Sequence, residues 1–131
     1  MIGIDTNVLV RYLVQDEPQQ AARVTRLLES LSAEEPAFVS VVVLAETVWV
    51  LESCYAADID QIEKVVETLL RTDAVHVAAV DVVWRALRRF KADRGDFADT
   101  LIAELAKAAG CRTVYTFDRA AAKRAGMTPL R

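Results

Sequence analysis

Asp5 follows the apolar tripeptide Ile2-Gly3-Ile4, and Asp118 follows Tyr115-Thr116-Phe117. Both acids therefore leave short strand-like runs, and in an open parallel sheet ligands gather beyond the carboxyl ends of the strands. Glu46 interrupts the run Val-Val-Val-Leu-Ala-Glu-Thr-Val-Trp-Val-Leu. On a helix, Val42, Val43, Trp49 and Val50 lie three or four residues from it and crowd its face. An ionised carboxylate in such surroundings costs several kcal/mol unless it is paired or bound to a metal. Asp96 and Asp99, in Gly95-Asp96-Phe97-Ala98-Asp99, stand three apart at a helix start and share one face. Each of the five has a structural alternative. Asp5 and Asp118 can cap helices, Asp96 and Asp99 can cap and oppose a helix dipole, and Glu46 can pair with an arginine in the core.

As a set they say more. Two carboxylates ~4 Å apart repel by roughly 4 kcal/mol at an effective dielectric of 20, so a cluster of them calls for a cation. The chain has one histidine, His76, and two distant cysteines, Cys54 and Cys111, with no Cys-x-x-Cys. That excludes a zinc ribbon, a disulfide scaffold and a two-histidine acid–base pair within the chain. All-oxygen donors favour Mg²⁺ or Mn²⁺. Such a cation held by carboxylates and water suits hydrolysis of a phosphodiester by metal-activated water.

The elements that must position these acids can be read from periodicity. Ile2 to Ile4 reads as a strand, followed by helical spacing of Val8, Leu9, Tyr12 and Leu13. Pro18 opens a second helix with Ala22, Val24, Leu27, Leu28 and Leu31 inward. Ala37 to Val39 is a second strand, and Ser40 caps a helix running to about Tyr55. A further helix starts at Asp58 to Asp60. Val75 to Val77 is a third strand. Val80 to Lys91 is an amphipathic helix, Asp93 to Asp96 a turn, and Phe97 to Ala109 a helix closed by Gly110. Thr113 to Thr116 is a strand, and Arg119 to Ala125 a short helix. Strands alternate with helices and no hairpin turn joins two strands, which implies a parallel sheet covered by helices.

Length suits one domain, residues 1–131, and 53% apolar residues allow a packed core. The net charge of −3 hides an asymmetry. Residues 1–84 hold 5 Lys/Arg against 14 Asp/Glu, and residues 85–131 hold 11 against 5. The basic excess is densest at Arg85, Arg88, Arg89, Lys91 and Arg94, either a solvated helix face or a landing strip for nucleic-acid phosphates. No targeting segment is visible. The most apolar stretch, Phe38 to Leu51, is too short and too polar to span a bilayer. A reduced cytosolic setting is expected, with no membrane association.

Four short segments, taken in order, resemble the PIN-domain nucleases, and most closely the small VapC-type toxins of toxin–antitoxin systems. They are Ile4-Asp5-Thr6-Asn7-Val8-Leu9, Ala45-Glu46, Asp96-Phe97-Ala98-Asp99-Thr100-Leu101-Ile102-Ala103 and Thr116-Phe117-Asp118. The resemblance covers essentially the whole chain. It implies an α/β/α three-layer sandwich with a short, mainly parallel central sheet. It also implies a Mg²⁺- or Mn²⁺-dependent endoribonuclease acting on tRNA or rRNA, a VapB-type antitoxin partner and a homodimer. By match of motif, Asp5, Glu46, Asp99 and Asp118 are the four catalytic, metal-binding acids, and Asp96 is an extra acid found in part of the family. Asn7 and Thr116 match small polar positions that orient the acids. Phe117 departs from the pattern, standing where a polar or basic residue is frequent.

Three rivals are weaker. A haloacid-dehalogenase-type phosphatase needs a second acid two residues after the first, where this chain has Asn7. A receiver domain needs paired acids before its phospho-accepting strand. A silent PIN-like binding module shares the scaffold, but here every candidate acid is present. An antitoxin helix would lie among the N-terminal helices, where Tyr12, Leu13, Trp49 and Leu51 either line a groove or belong to the core.

Overall fold

The computed structural model describes all residues, 1–131. The order of elements is β1 (Ile2–Gly3), α1 (Thr6–Val14), α2 (Pro18–Glu29), β2 (Ala37–Val39), α3 (Val41–Tyr55), α4 (Ile59–Arg71), β3 (Val75–Val77), α5 (Val80–Asp93), α6 (Phe97–Ala108), β4 (Tyr115–Thr116), α7 (Arg119–Arg124) and β5 (Thr128–Pro129). β1, β2 and β3 form one parallel sheet in that order, with Ile2 opposite Ala37 and Phe38 opposite His76. The chain is an α/β/α sandwich around a short parallel sheet, as its alternation of strands and helices requires.

The sheet is divided. β4 pairs in parallel with β5, Tyr115 opposite Thr128, as a separate two-stranded ribbon. The strand expected over Thr113 to Thr116 is therefore shorter and does not hydrogen-bond to β1. β5 is a surprise, because Thr128-Pro129 has no periodicity and a proline that cannot donate to a ladder. Thr128 N donates to Val114 O and Leu130 N to Thr116 O, so the proline falls on the position that needs no donor.

Most buried side chains belong to one core. It joins Ile4 and Leu9 to Ala37 and Val39 of β2, Leu44, Val48 and Leu51 of α3, Ile62, Val66 and Leu69 of α4, and Val83, Leu87 and Phe90 of α5. Phe97 and Leu101 of α6 complete it, and Phe90 meets Phe97 edge-on with centroids 5.5 Å apart. Leu51 is core, only 6% exposed, and so lines no groove, whereas Tyr12 and Trp49 are exposed. On α2 the buried pair is Ala21 and Val24, while Ala22 faces water.

Gly95 decides how the last third of the chain sits. A Cβ there would stand 2.8 Å from Cβ of Arg124, so only glycine lets the turn before α6 touch the end of α7. Arg124 Nη1 also donates to the Asp93 carbonyl at 2.9 Å. α7 is thereby clamped against the beginning of α6, which brings the neighbourhoods of Asp96, Asp99 and Asp118 together.

Candidate metal centre

Three of the predicted acids are helix caps. Asp5 Oδ1 accepts from Thr6 N at 2.8 Å at the start of α1. Asp96 Oδ1 accepts from Asp99 N at 2.9 Å at the start of α6. Asp118 Oδ1 accepts from Ala120 N at 2.8 Å and from Ala121 N at 3.1 Å at the start of α7. Capping does not exclude ligation. In each case one carboxylate oxygen is bonded to the helix and Oδ2 has no protein partner. The cap fixes the carboxylate's direction, and the free oxygen is the one available to a cation.

Glu46 lies on α3 and differs from expectation. It is exposed rather than buried, because its apolar neighbours Val42 and Trp49 are themselves 67% and 64% exposed. Its partner is Thr6, whose hydroxyl donates to Glu46 Oε1 at 2.9 Å. The same residue donates its backbone N–H to Asp5, so Thr6, which is buried, ties the first two acids together. Thr6 went unremarked in the sequence because a threonine after an aspartate reads as ordinary helix start. Asn7 is exposed and its side chain makes no hydrogen bond. Thr116 Oγ1 accepts from Asp118 N at 3.0 Å and so holds the turn that presents that acid.

Asp99 is pressed by its surroundings. Burial first, then the charges of Asp96 and Asp118, push its carboxyl above the ordinary carboxylate value. Glu52, six residues beyond Glu46 on α3, is likewise raised, by burial and then by Asp96. The second acid of α3 was legible only as one more charge in an apolar helix. α3 packs against both α1 and α6, so it joins the Asp5–Thr6–Glu46 group to the Asp96–Asp99–Asp118 group.

No lysine or arginine forms an ion pair with Asp5, Glu46, Glu52, Asp96, Asp99 or Asp118. Nor do three acidic, imidazole or thiol groups close on one point tightly enough to cage an ion. The donor set is carboxylate oxygen throughout, the chemistry that suits a hard cation such as Mg²⁺ or Mn²⁺ better than zinc.

Four of the five cations in the basic run over α5 and its C-cap are in ion pairs. Arg85 and Arg89 reach Glu104 at 3.6 and 3.3 Å, Lys91 reaches Glu63 at 3.2 Å, and Arg94 reaches Asp60 at 3.6 Å. Arg88 alone of the five has no carboxylate partner. Uncompensated positive charge lies instead in residues 107–131. There, Lys107, Arg112, Arg119, Lys123, Arg124 and Arg131 face a single acid, Asp118, and none is in an ion pair.

Comparison with known proteins adds an independent line. The family model of the PIN domain matches residues 2–127. A VapC ribonuclease of Aquifex aeolicus (strain VF5) is 31% identical over 117 residues, which cover 88% of this chain and 86% of that protein.

Proposed function

The chain belongs to the PIN-domain family, and from that premise we propose that it is a Mg²⁺- or Mn²⁺-dependent endoribonuclease, the toxin of a type II toxin–antitoxin module. One observation carries the reading: acids from four separate segments are left without any cationic side chain, and Asp99 is pressed by two of them. A fold that neutralises a buried glutamate elsewhere with two arginines has withheld cations here.

Asp5, Asp99 and Asp118, with Glu46, would hold the cation as carboxylates or through its bound waters, and Asp96, which accepts the backbone N–H of Asp99, would steady that acid or join the set. When bound, a divalent ion lowers the pKa of water, supplies the nucleophile for hydrolysis and screens the phosphate from the acids. The caps at α1, α6 and α7 keep the carboxylates from turning away, and Thr6 keeps Glu46 beside Asp5. Bare, the acids repel RNA. Arg88 and the cations of residues 107–131 supply the opposing attraction for its backbone.

The RNA is of the tRNA or rRNA class. The partner is a VapB-type antitoxin whose helix covers the exposed Tyr12 and Trp49, and the protein works as a cytoplasmic homodimer. No helix is long and apolar enough to cross a membrane.

The test is incubation of purified protein with RNA in Mg²⁺ or EDTA. Cutting that needs the metal and is lost in Asp5→Asn is expected. RNA bound but never cut, in any divalent ion, would make the protein a silent binding module.

A further inference from the structure

Phe117 is 83% exposed, whereas Phe90 and Phe97 are completely buried. It is not on a loose segment. The residue before it, Thr116, is in β4 and accepts the N–H of Asp118, and Asp118 caps α7 with two bonds. The ring is thus presented to solvent by a turn fixed on both sides, one residue from a candidate metal ligand. Beside it opens a cavity of about 620 Å³, lined by Thr116, Phe117, Asp118, Arg119, Leu130 and Arg131 among others. That volume is within the range of small-ligand sites. Its charged side chains are two arginines and one aspartate, in the part of the chain where cationic side chains outnumber acidic ones by 6 to 1.

A ligand that suits an exposed aromatic face flanked by arginines is planar, apolar on its faces and anionic at its edges. A nucleotide of a single strand has those properties, because an unstacked base can lie on the ring while the phosphates on either side meet the guanidinium groups. We infer that Phe117 is a stacking platform for a base of the RNA next to the scissile phosphate, with Arg119 and Arg131 receiving the flanking phosphates. The inference rests on the nuclease reading for what the strand does there, but not for the binding itself. It makes Phe117 a positioning residue: it requires that the base be out of a duplex, and it places loops and unpaired ends ahead of helices as substrates. Stacking is tolerant of base identity, so the platform selects strandedness more than sequence.

The experiment is binding of a dye-labelled, short single-stranded oligoribonucleotide at low salt with EDTA, beside an abasic strand of equal length. Phe117→Ala should weaken binding of the base-bearing strand by about five- to 150-fold and leave the abasic strand unchanged. Phe117→Trp should keep the affinity, and its added indole should lose emission on the base-bearing strand alone. Equal losses on both strands, no loss on either, or no binding by the unaltered protein would overturn the inference. So would a change from dimer to monomer in Phe117→Ala with RNA binding intact, which would make the ring an interface between copies. Cleavage in Mg²⁺ is scored separately. A protein that stacks RNA but never cuts it keeps the platform and loses the nuclease, and one that cuts with Phe117 irrelevant does the reverse.

Discussion

Asp99 and Glu104 share helix α6 and the same formal charge, yet the fold surrounds them in opposite ways. Glu104 is 2% exposed in the seam between α5 and α6, with Arg89 at 3.3 Å and Arg85 at 3.6 Å. Its Oε1 accepts a hydrogen bond from Arg89, whereas Oε2 has none and is met only by the charge of Arg85. Asp99 is less buried, has no cation, and faces the charges of Asp96 and Asp118. A charge that serves packing is cancelled by the chain itself. The other, five residues away, is left uncancelled by the chain.

The largest effect separating the two ends of the helix is on catalysis. Asp99→Asn removes no hydrogen bond, since only the backbone N–H of Asp99 is bonded to Asp96. Loss of a metal ligand forfeits several kcal/mol of transition-state stabilisation, so cleavage should fall on the order of a thousandfold. The circular dichroism spectrum should be unchanged. Single-turnover rates on RNA in Mg²⁺ give the number, and a loss below tenfold would remove Asp99 from the centre.

At the other end the loss is of stability. Arg85→Ala with Arg89→Ala strands Glu104 in the seam and should cost about 3 kcal/mol, near the low end for a broken buried pair because water reaches both guanidinium groups. Urea denaturation measures it. Replacing Glu104 by leucine in the same variant should recover most of the loss. If the double variant instead unfolds as easily as the parent while RNA affinity collapses, these two arginines belong to the RNA surface after all.

Thr6→Val sharpens the distinction between holding an acid and being one. The methyl group keeps the buried volume and removes the hydroxyl that steadies Glu46. Glu46 is exposed, so little stability is at stake. Second-layer partners of metal ligands are worth roughly ten- to a hundredfold, and the Mg²⁺ concentration for half-maximal cleavage should rise by that factor. Unaltered Mg²⁺ dependence would show that Glu46 orients itself.

The contrast also shows what the sequence could tell. Element order and the four acid-bearing segments were legible because strand and helix periods, Pro18, Ser40 and Gly110 agree locally with the fold. The capping reading and the ligand reading of Asp5, Asp96 and Asp118 were posed as rivals; the geometry shows the capping role and leaves Oδ2 of each without a protein partner. Pairing was not legible. Lys91 to Glu63 and Arg94 to Asp60 join α5 to α4 across about thirty residues, so the densest basic run was not the free one. Burial of Glu46 was misjudged because apolar neighbours on a helix imply a dry face only if something covers them. β4 pairs with β5 and not with β1, and the two residues of β5 carry no pattern at all.

The smallest effect is thermodynamic and depends on pH. Burial and like charge raise Asp99 above its ordinary value of 3.8, and burial and Asp96 raise Glu52 above 4.5. The folded protein therefore binds these protons more tightly than the unfolded chain. Their contribution to stability is complete below the ordinary values and is lost as pH rises through the higher folded ones. Asp99→Asn cannot lose that proton and also relieves Asp96 and Asp118. In EDTA its melting temperature should match that of the unaltered protein at acid pH and exceed it by a widening margin towards neutrality. Mg²⁺ binds only the native cluster and should close the margin by raising the unaltered protein more. A margin that is constant with pH, or one that Mg²⁺ does not narrow, would mean that the three aspartates are far enough apart to be indifferent to one another, and Asp99 would then be as structural as Glu104.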